Sequence, residues 1–307
     1  MNLLITGCCG HIGSYLADNI YKIKKIKKTI LVDNIKSNRF CSLFNLSKNN
    51  KLKFYLRNVN EKNSLNDFKG INYVIHCASM TNAEKSFGKE KEMYKNNIDC
   101  LKNVIHFCKK NNSKLIHLSS TSVYGKQTDI VDENCEEKYL KPQSPYADIK
   151  LIEEKMLIKN SNKLSYNTFR FGTIAGVSKG IRFHTAVNKF CLNASINENI
   201  FVYKTALDQY RPYLSLNDAF KVFKFCIEKD FFKIEIFNAL SGNYTVNQIL
   251  KKIRKYKKDI KVKLVNSAIM NQLSYHVSSK KLESNGLFLK GNIENDIKKT
   301  LKLLSNI

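Results

Sequence analysis

In the N-terminal half of the chain, short unbroken apolar runs are separated by stretches with helical spacing. Asn2-Leu3-Leu4-Ile5-Thr6 is one such run and stops at a glycine. From His11 to about Ile23 the apolar positions Ile12, Leu16, Ile20 and Ile23 share one helical face. Thr29-Ile30-Leu31-Val32, closed by Asp33, reads as a second strand, Lys53-Phe54-Tyr55-Leu56 as a third, and Tyr73-Val74-Ile75-His76-Cys77-Ala78 as a stronger fourth. A long helical stretch over about 90–110 precedes another strand, Lys114-Leu115-Ile116-His117-Leu118-Ser119. Strands that do not alternate in polarity are buried on both faces. Alternating with helices, they predict an α/β fold built on a doubly wound parallel sheet. Such sheets take their ligands at the carboxyl ends of the strands. Beyond about residue 170 the pattern loses regularity, as a smaller covering lobe would, and neither an internal repeat nor a low-complexity linker interrupts it.

Composition narrows the class. With 307 residues, 43% hydrophobic and three prolines, the chain is neither disordered nor a small disulfide scaffold. No apolar run approaches the roughly 18 residues of a membrane span. The start, Met1 to Gly7, lacks the basic leader and long apolar core of a signal peptide, so a cytoplasmic, membrane-free protein is expected. The net charge of +26 suggests nucleic acid at first sight. Yet only six of the basic residues are arginine, and the densest groups, at 22–28 and 251–258, interleave apolar side chains as solvated faces do. No nucleic-acid partner is expected; a general attraction for anionic substrates remains. Nine cysteines without regular spacing imply reduced thiols. Cys8 and Cys9 are adjacent and do not form an ordinary metal pair, and Cys100 and Cys108 lack a second ligand pair. No metal is expected.

Chemistry concentrates at two places. Thr6-Gly7-Cys8-Cys9-Gly10-His11-Ile12-Gly13 joins a strand to a helix through glycines three apart. Glycines let the backbone turn tightly and approach a pyrophosphate, whose charge the helix N-terminus stabilises. Twenty residues beyond Gly13, Asp33 ends the next strand, where a carboxylate accepts hydrogen bonds from an adenosine ribose and repels a 2′-phosphate. That favours NAD over NADP. In Ser144-Pro145-Tyr146-Ala147-Asp148-Ile149-Lys150, Tyr146 and Lys150 lie one helical turn apart on one face. Free tyrosine is a poor base at neutral pH, and a neighbouring ammonium favours its phenolate. The preceding strand ends in Ser119-Ser120-Thr121-Ser122, which can supply a hydroxyl to a reacting sugar oxygen.

In this order and spacing the chain resembles the extended short-chain dehydrogenase/reductase family, in its NAD-dependent nucleotide-sugar epimerase/dehydratase branch. The resemblance also takes in Asn58-Val59, Asn97, Arg170-Phe171-Gly172-Thr173, Arg211 to Asp218 and Phe237 to Gly242. It implies a Rossmann-type NAD-binding part over 1–172, with 209–240 returning to it. A smaller C-terminal α+β substrate-binding lobe would take 173–208 and 241–307. It implies Ser120, Tyr146 and Lys150 as the catalytic set. The cofactor would lie against Gly7, Gly10, His11, Ile12, Gly13, Asp33, Asn34, Asn58, Val59, Ala78, Ser79, Asn97 and Phe171, together with Tyr146 and Lys150. Asn58 stands where relatives usually carry Asp. Thr81, Ser120, Thr173, Asn188 and Arg211 are implied on the substrate side, with Thr173 where many relatives have Asn. The long helical stretches at about 90–110 and 145–160 match those that pair subunits into homodimers.

Within that branch, dehydratases carry acidic residues directly after the catalytic hydroxyl. Here Thr121 and Ser122 stand there, and neither can shuttle a proton as a carboxylate does. This disfavours 4,6-dehydration and leaves an epimerase working through a transient 4-keto sugar on a nucleotide diphosphate, or a 4-keto-sugar reductase. An NAD-binding sensor or scaffold is the non-enzymatic alternative.

Overall fold

The computed structural model describes residues 1–46, 51–82, 86–127, 129–266 and 275–305. Its strands are β1 (Asn2–Thr6), β2 (Lys28–Asp33), β3 (Leu52–Leu56), β4 (Tyr73–His76), β5 (Lys114–Ser120), β6 (Ile130–Val131), β7 (Tyr166–Phe171), β8 (Thr173–Ala175), β9 (Ile200–Tyr203), β10 (Tyr210–Ser215), β11 (Glu235–Ala239), β12 (Gly242–Thr245), β13 (Val262–Val265) and β14 (His276–Val277). The helices are α1 (His11–Asn19), α2 (Glu90–Asn111), α3 (Pro145–Ile158), α4 (Ala186–Ser195), α5 (Leu216–Glu228), α6 (Val246–Arg254), α7 (Lys280–Ser284) and α8 (Ile293–Leu303).

Seven strands form one parallel sheet in the order β11-β7-β5-β4-β1-β2-β3. The order reverses at β1, between β2 and β4, which is the switch point where a doubly wound sheet opens a crevice. Each strand feeds both faces. Leu3 and Ile5 pack with Leu16 of α1 and Phe223 of α5, while Leu4 packs with Leu101 and Val104 of α2 and Leu157 of α3. Two cores, one per face, explain why these strands read as unbroken apolar runs. Helix α1 stops at Asn19 and continues as a 3₁₀ turn over Ile20–Lys22, shorter than its apolar spacing suggests.

Beyond the main sheet, β8, β10 and β12 form a three-stranded sheet, and β9 pairs with β13 and β6 with β14. A third core of Ala175, Val187, Cys191, Tyr213, Ile249, Ile253 and Ile297 joins the three-stranded sheet to α4, α6 and α8. Within 209–240, β10 sits in that smaller sheet, α5 packs on α1, and β11 completes the edge of the seven-stranded sheet. Among the described residues no helix is long and apolar enough to cross a membrane.

Candidate active site

The end of β1 turns directly into the glycine loop. Gly7 sits at φ +69°, and a β-carbon there would stand 2.5 Å from the backbone nitrogen of Ala78. Only glycine takes that conformation in that space at low cost. A β-carbon on Gly13 would strike the Gly7 carbonyl and lie 2.7 Å from Cys8 Cα, so α1 starts pressed against the turn. Asp33, at the end of β2, accepts from the amides of Cys9 at 2.9 Å and Ile35 at 2.8 Å. Its carboxylate thus braces the loop from the neighbouring strand. Asn34 donates to Asn58 Oδ1 at 2.7 Å, and Asn58 donates to Glu61 at 2.8 Å. Val59 is buried beneath them. The loop, the bare backbone at the start of α1 and the acid on β2 together have the chemistry that a dinucleotide needs.

The same loop brings Cys8 Sγ, Cys9 Sγ and an Asp33 carboxylate oxygen within 4.8 Å of one another. Sequence spacing does not anticipate such a group. Both Asp33 oxygens already accept backbone hydrogen bonds, which accounts for its geometry without an ion. Cys100 and Cys108 are buried thiols in the core under α2.

Helix α3 begins where Ser144 Oγ accepts from the Ala147 amide and Pro145 occupies the first turn. That start places Tyr146 and Lys150 one turn apart, with the Lys150 ammonium 5.8 Å from the centre of the Tyr146 ring. The helix packs against β5 and the 3₁₀ turn Thr121–Tyr124 that follows it. Ser120, closing β5, accepts from the Ser122 hydroxyl at 2.9 Å and the Ser122 amide at 3.2 Å. Thr121 is turned inward and donates to the Phe171 carbonyl at 3.3 Å.

Lys150 is only 4% exposed, and its ammonium donates to Glu153 Oε2 at 2.7 Å. Burial disfavours the ammonium, but the Glu153 carboxylate and Tyr146 outweigh it and raise the lysine pKa. Glu153 is buried too, yet Lys150 and His117 hold its carboxyl down at about 2. Behind it, Thr6, His76, His117 and Thr168 lie side by side in register on β1, β4, β5 and β7. Thr6 Oγ1 contacts His76 Nδ1 at 2.8 Å, and His117 spans from Thr168 at 3.3 Å to Glu153 at 2.9 Å. Burial pushes His76 down to about 3, so it is neutral at physiological pH.

Asn97 brackets the Met80 peptide from α2, accepting from its amide at 2.8 Å and donating to its carbonyl at 3.0 Å. It thereby fixes the segment Ala78–Thr81 that follows β4. Ala78 faces Thr6 Oγ1 through its amide, and Ser79 donates to the Met80 carbonyl. Thr81 accepts from Arg182 Nη1.

Arg182 was not among the sequence candidates. Desolvation in the cleft lowers its pKa, Tyr146 opposes that, and Arg39 adds to it. None of the described carboxylates forms an ion pair with it. His11, pushed down to about 3 by burial with Arg182 next in effect, directs Nε2 to the Gly176 carbonyl at 2.8 Å. Ser178 Oγ donates to the His11 carbonyl at 2.8 Å and the Gly180 amide to Ser14 Oγ at 2.9 Å, so the segment 176–182 lies across the glycine loop. Asn188 is fully buried and both ends of its amide are engaged, by the Gly176 amide and the Arg182 carbonyl. It holds the turn that presents Arg182. Thr173 opens β8 opposite Tyr213, and Arg211 stands on β10 opposite Tyr244. A lone arginine in a chain with so few was the available signal for Arg182, but nothing in its spacing tied it to the glycine loop.

A switch-point crevice, a glycine turn that only a bare backbone fits, and a Tyr-x-x-x-Lys helix beside a serine-tipped strand belong to a Rossmann-type α/β fold. Residues 3–239 match the NAD dependent epimerase/dehydratase family, and the chain belongs to that family. It is 29% identical over 184 residues to an uncharacterized UDP-glucose epimerase of Bacillus subtilis (strain 168), covering 57% of each chain. It is 25% identical to a trifunctional UDP-glucose 4,6-dehydratase/UDP-4-keto-6-deoxy-D-glucose 3,5-epimerase/UDP-4-keto-L-rhamnose-reductase of Arabidopsis thaliana, over 98% of this chain and 46% of that one. The chain thus spans about half the length of these curated relatives. Among solved structures, a UDP-N-acetylglucosamine 4-epimerase from Methanobrevibacter ruminantium M1, in complex with UDP-N-acetylmuramic acid, superposes with a TM-score of 0.86 at 24% identity, covering 100% of this chain and 99% of that one. A UDP-glucose 4-epimerase from Thermotoga maritima with UDP-glucose gives 0.85 at 22% identity, with 100% and 99% covered. These likenesses fix the fold.

Proposed function

We propose that the chain is an NAD-dependent epimerase acting on a nucleotide-diphosphate sugar through a transient 4-keto intermediate. The observation that carries this is that β5 runs into Ser120, Thr121 and Ser122, with no carboxylate among them, against the helix that carries Tyr146 and Lys150. Tyr146 takes the proton of a sugar hydroxyl, Ser120 hydrogen-bonds the same oxygen, and Lys150 keeps positive charge beside the phenolate. NAD, when bound, supplies reversible hydride acceptance at the sugar carbon. Gly7, Gly10, His11, Ile12 and Gly13 cradle its pyrophosphate. Asp33 and Asn34 would hold its ribose, Asn58 and Val59 its adenine, and Ala78, Ser79, Phe171 and Asn97 its nicotinamide end. Arg211 and Arg182 grip the diphosphate of the substrate, with Thr81 and Thr173 nearby and Asn188 positioning Arg182.

Residues 1–172, with 209–240, would form the NAD-binding part, and 173–208 with 241–307 the substrate lobe. Exposed Tyr94 on α2 and Ile158 on α3 support a homodimer through these helices, which sedimentation would check. We assign no nucleic-acid partner and a cytoplasmic location.

The test is product mass after incubation with a panel of nucleotide hexoses and NAD. An isomer of unchanged mass, absent with Tyr146→Phe, is expected. Loss of water would replace the epimerase with a 4,6-dehydratase, and gain of two hydrogens from a keto sugar would replace it with a reductase. Silence across the panel with NAD still bound would favour a sensor.

A further inference from the structure

We propose that Glu153, backed by His117, is a positioning residue that keeps the active-site proton on Lys150 and so leaves Tyr146 free to act as a base. The inference rests on the catalytic reading above and deepens it. The sequence gives no reason for a second acid here. Glu154, the next residue, already has its own partner in Arg170. Glu153 instead lies on the Lys150 side of α3, 1% exposed, with Lys150 at 2.7 Å and His117 at 2.9 Å on the same oxygen, Oε2.

For Tyr146 to serve as the base, Lys150 and Tyr146 must together hold one proton. On the lysine it gives an ammonium beside a phenolate, which accepts a proton from a sugar hydroxyl. On the tyrosine it gives an amine beside a phenol, which does not. The two arrangements have the same proton count, so solution pH cannot choose between them; only the surrounding charge can. A lysine this buried would by itself shed its proton. The Glu153 carboxylate supplies the opposing bias. His117 sets Nε2 against that carboxylate and Nδ1 against the Thr168 hydroxyl, which holds the ring and the Glu153 oxygen in place.

Other groups around the pair bear on this balance, and Arg182 stands on the tyrosine side as a cation whose charge reaches Tyr146. His76 faces the pair from β4 and is kept neutral by burial. Cys77 beyond β4 and Cys100 on α2 are held as thiols by burial. Glu154 on the same helix is paired with Arg170 of β7. Glu153 is therefore the carboxylate in direct contact with the Lys150 ammonium.

The experiment uses the full chain with Glu153→Gln and Glu153→Asp. The Lys150 ammonium is followed by NMR of labelled lysine, its resonance identified by its absence in Lys150→Met, beside the pH profile of turnover. Glu153→Gln keeps the shape and removes the charge. It should lower the Lys150 titration midpoint, reduce the turnover plateau about tenfold or more, the equivalent of one pKa unit of lost bias, and move the acid limb to lower pH. Glu153→Asp should recover most of the plateau. A Glu153→Gln protein that melts earlier but keeps the wild-type Lys150 midpoint and pH profile would overturn the proposal. If Glu153→Gln does not fold, Glu153→Asp carries the comparison: a smaller fall in the midpoint supports the assignment and an unchanged one overturns it. If the wild type turns over no nucleotide sugar while the Lys150 midpoint still falls in Glu153→Gln, the proposed activity fails and the charge assignment stands.

Discussion

Glu154 on α3 and Arg170 on β7 clasp each other in two hydrogen bonds, 3.0 Å to Nε and 2.7 Å to Nη2, both side chains about 5% exposed. Ser119 Oγ adds a third bond to Glu154 at 2.5 Å, and the Arg170 guanidinium lies 4.8 Å above the Tyr124 ring. This clasp ties α3, which carries Tyr146 and Lys150, to the sheet behind the hydroxyl-tipped strand β5. A buried pair of this kind contributes little over an apolar substitute, yet breaking it from one side leaves a bare charge. Arg170→Met should cost about 3–5 kcal/mol in urea unfolding. The double variant Arg170→Met/Glu154→Met should recover a large part of that loss.

Gly13 gives a sharper local prediction. A β-carbon there meets backbone atoms of Gly7 and Cys8, which cannot swing away as a side chain would. Gly13→Ala should destabilise the chain by roughly 1–3 kcal/mol, the usual cost of overpacking. Calorimetry should also show a greater loss of NAD affinity than that of a control substitution at exposed Lys110, since the displaced backbone is the proposed pyrophosphate cradle.

Asp296 on α8 supplies a pH dependence with a definite sign. It is 7% exposed, its Oδ2 has no partner among the described residues, and burial raises its pKa to about 7, with Ser215 and Lys299 opposing and Asp218 adding. Its unfolded-state value is 3.8, so between these two the unfolded chain releases a proton that the folded chain keeps. Stability from this group is therefore highest below pH ~4, falls as pH rises toward ~7, and is flat above. Asp296→Asn should remove that slope and stabilise the chain at pH 8 by up to roughly 4 kcal/mol. Denaturant unfolding at pH 5 and pH 8 checks it: an equal effect at both would contradict the assignment.

What could be read from the sequence follows the same physics. β1, β2, β4 and β5 announce themselves because residues on both of their faces are mostly apolar, and the glycine loop and the Tyr146/Lys150 pair because their spacing is local. β7 lies inside the same sheet, next to its edge strand, yet does not read as a buried strand, because Asn167, Thr168 and Arg170 interrupt it. Each is buried against a distant partner: Asn167 bonds the backbone at Phe231 and Lys233, Thr168 meets His117, and Arg170 meets Glu154. Polar strand residues satisfied from elsewhere in the chain carry no local signature. Arg182 and Glu153 were hidden in the same way, since their meaning depends on Thr81, His117 and Lys150 rather than on their neighbours in sequence.

Arg182 also yields the last prediction. Its guanidinium donates to Thr81, lies close enough to Tyr146 and Arg39 for their charges to bear on it, and has no carboxylate partner among the described residues. An unpaired cation in a desolvated cleft is unfavourable, and an anion placed against it relieves that cost. Arg182→Leu should therefore leave the ligand-free chain as stable as the wild type or more so. Hydrogen bonds to a charged group contribute about 1.5–3 kcal/mol, so binding of a nucleotide-diphosphate sugar should weaken by roughly tenfold to a hundredfold. NAD affinity reports which diphosphate the arginine serves. The proposed substrate role of Thr81 and Tyr146, both close to Arg182, assigns it to the sugar side, so calorimetry with NAD alone should show a smaller loss. A larger loss for NAD would move Arg182 to the cofactor pyrophosphate, and an unchanged affinity for both would remove it from the site.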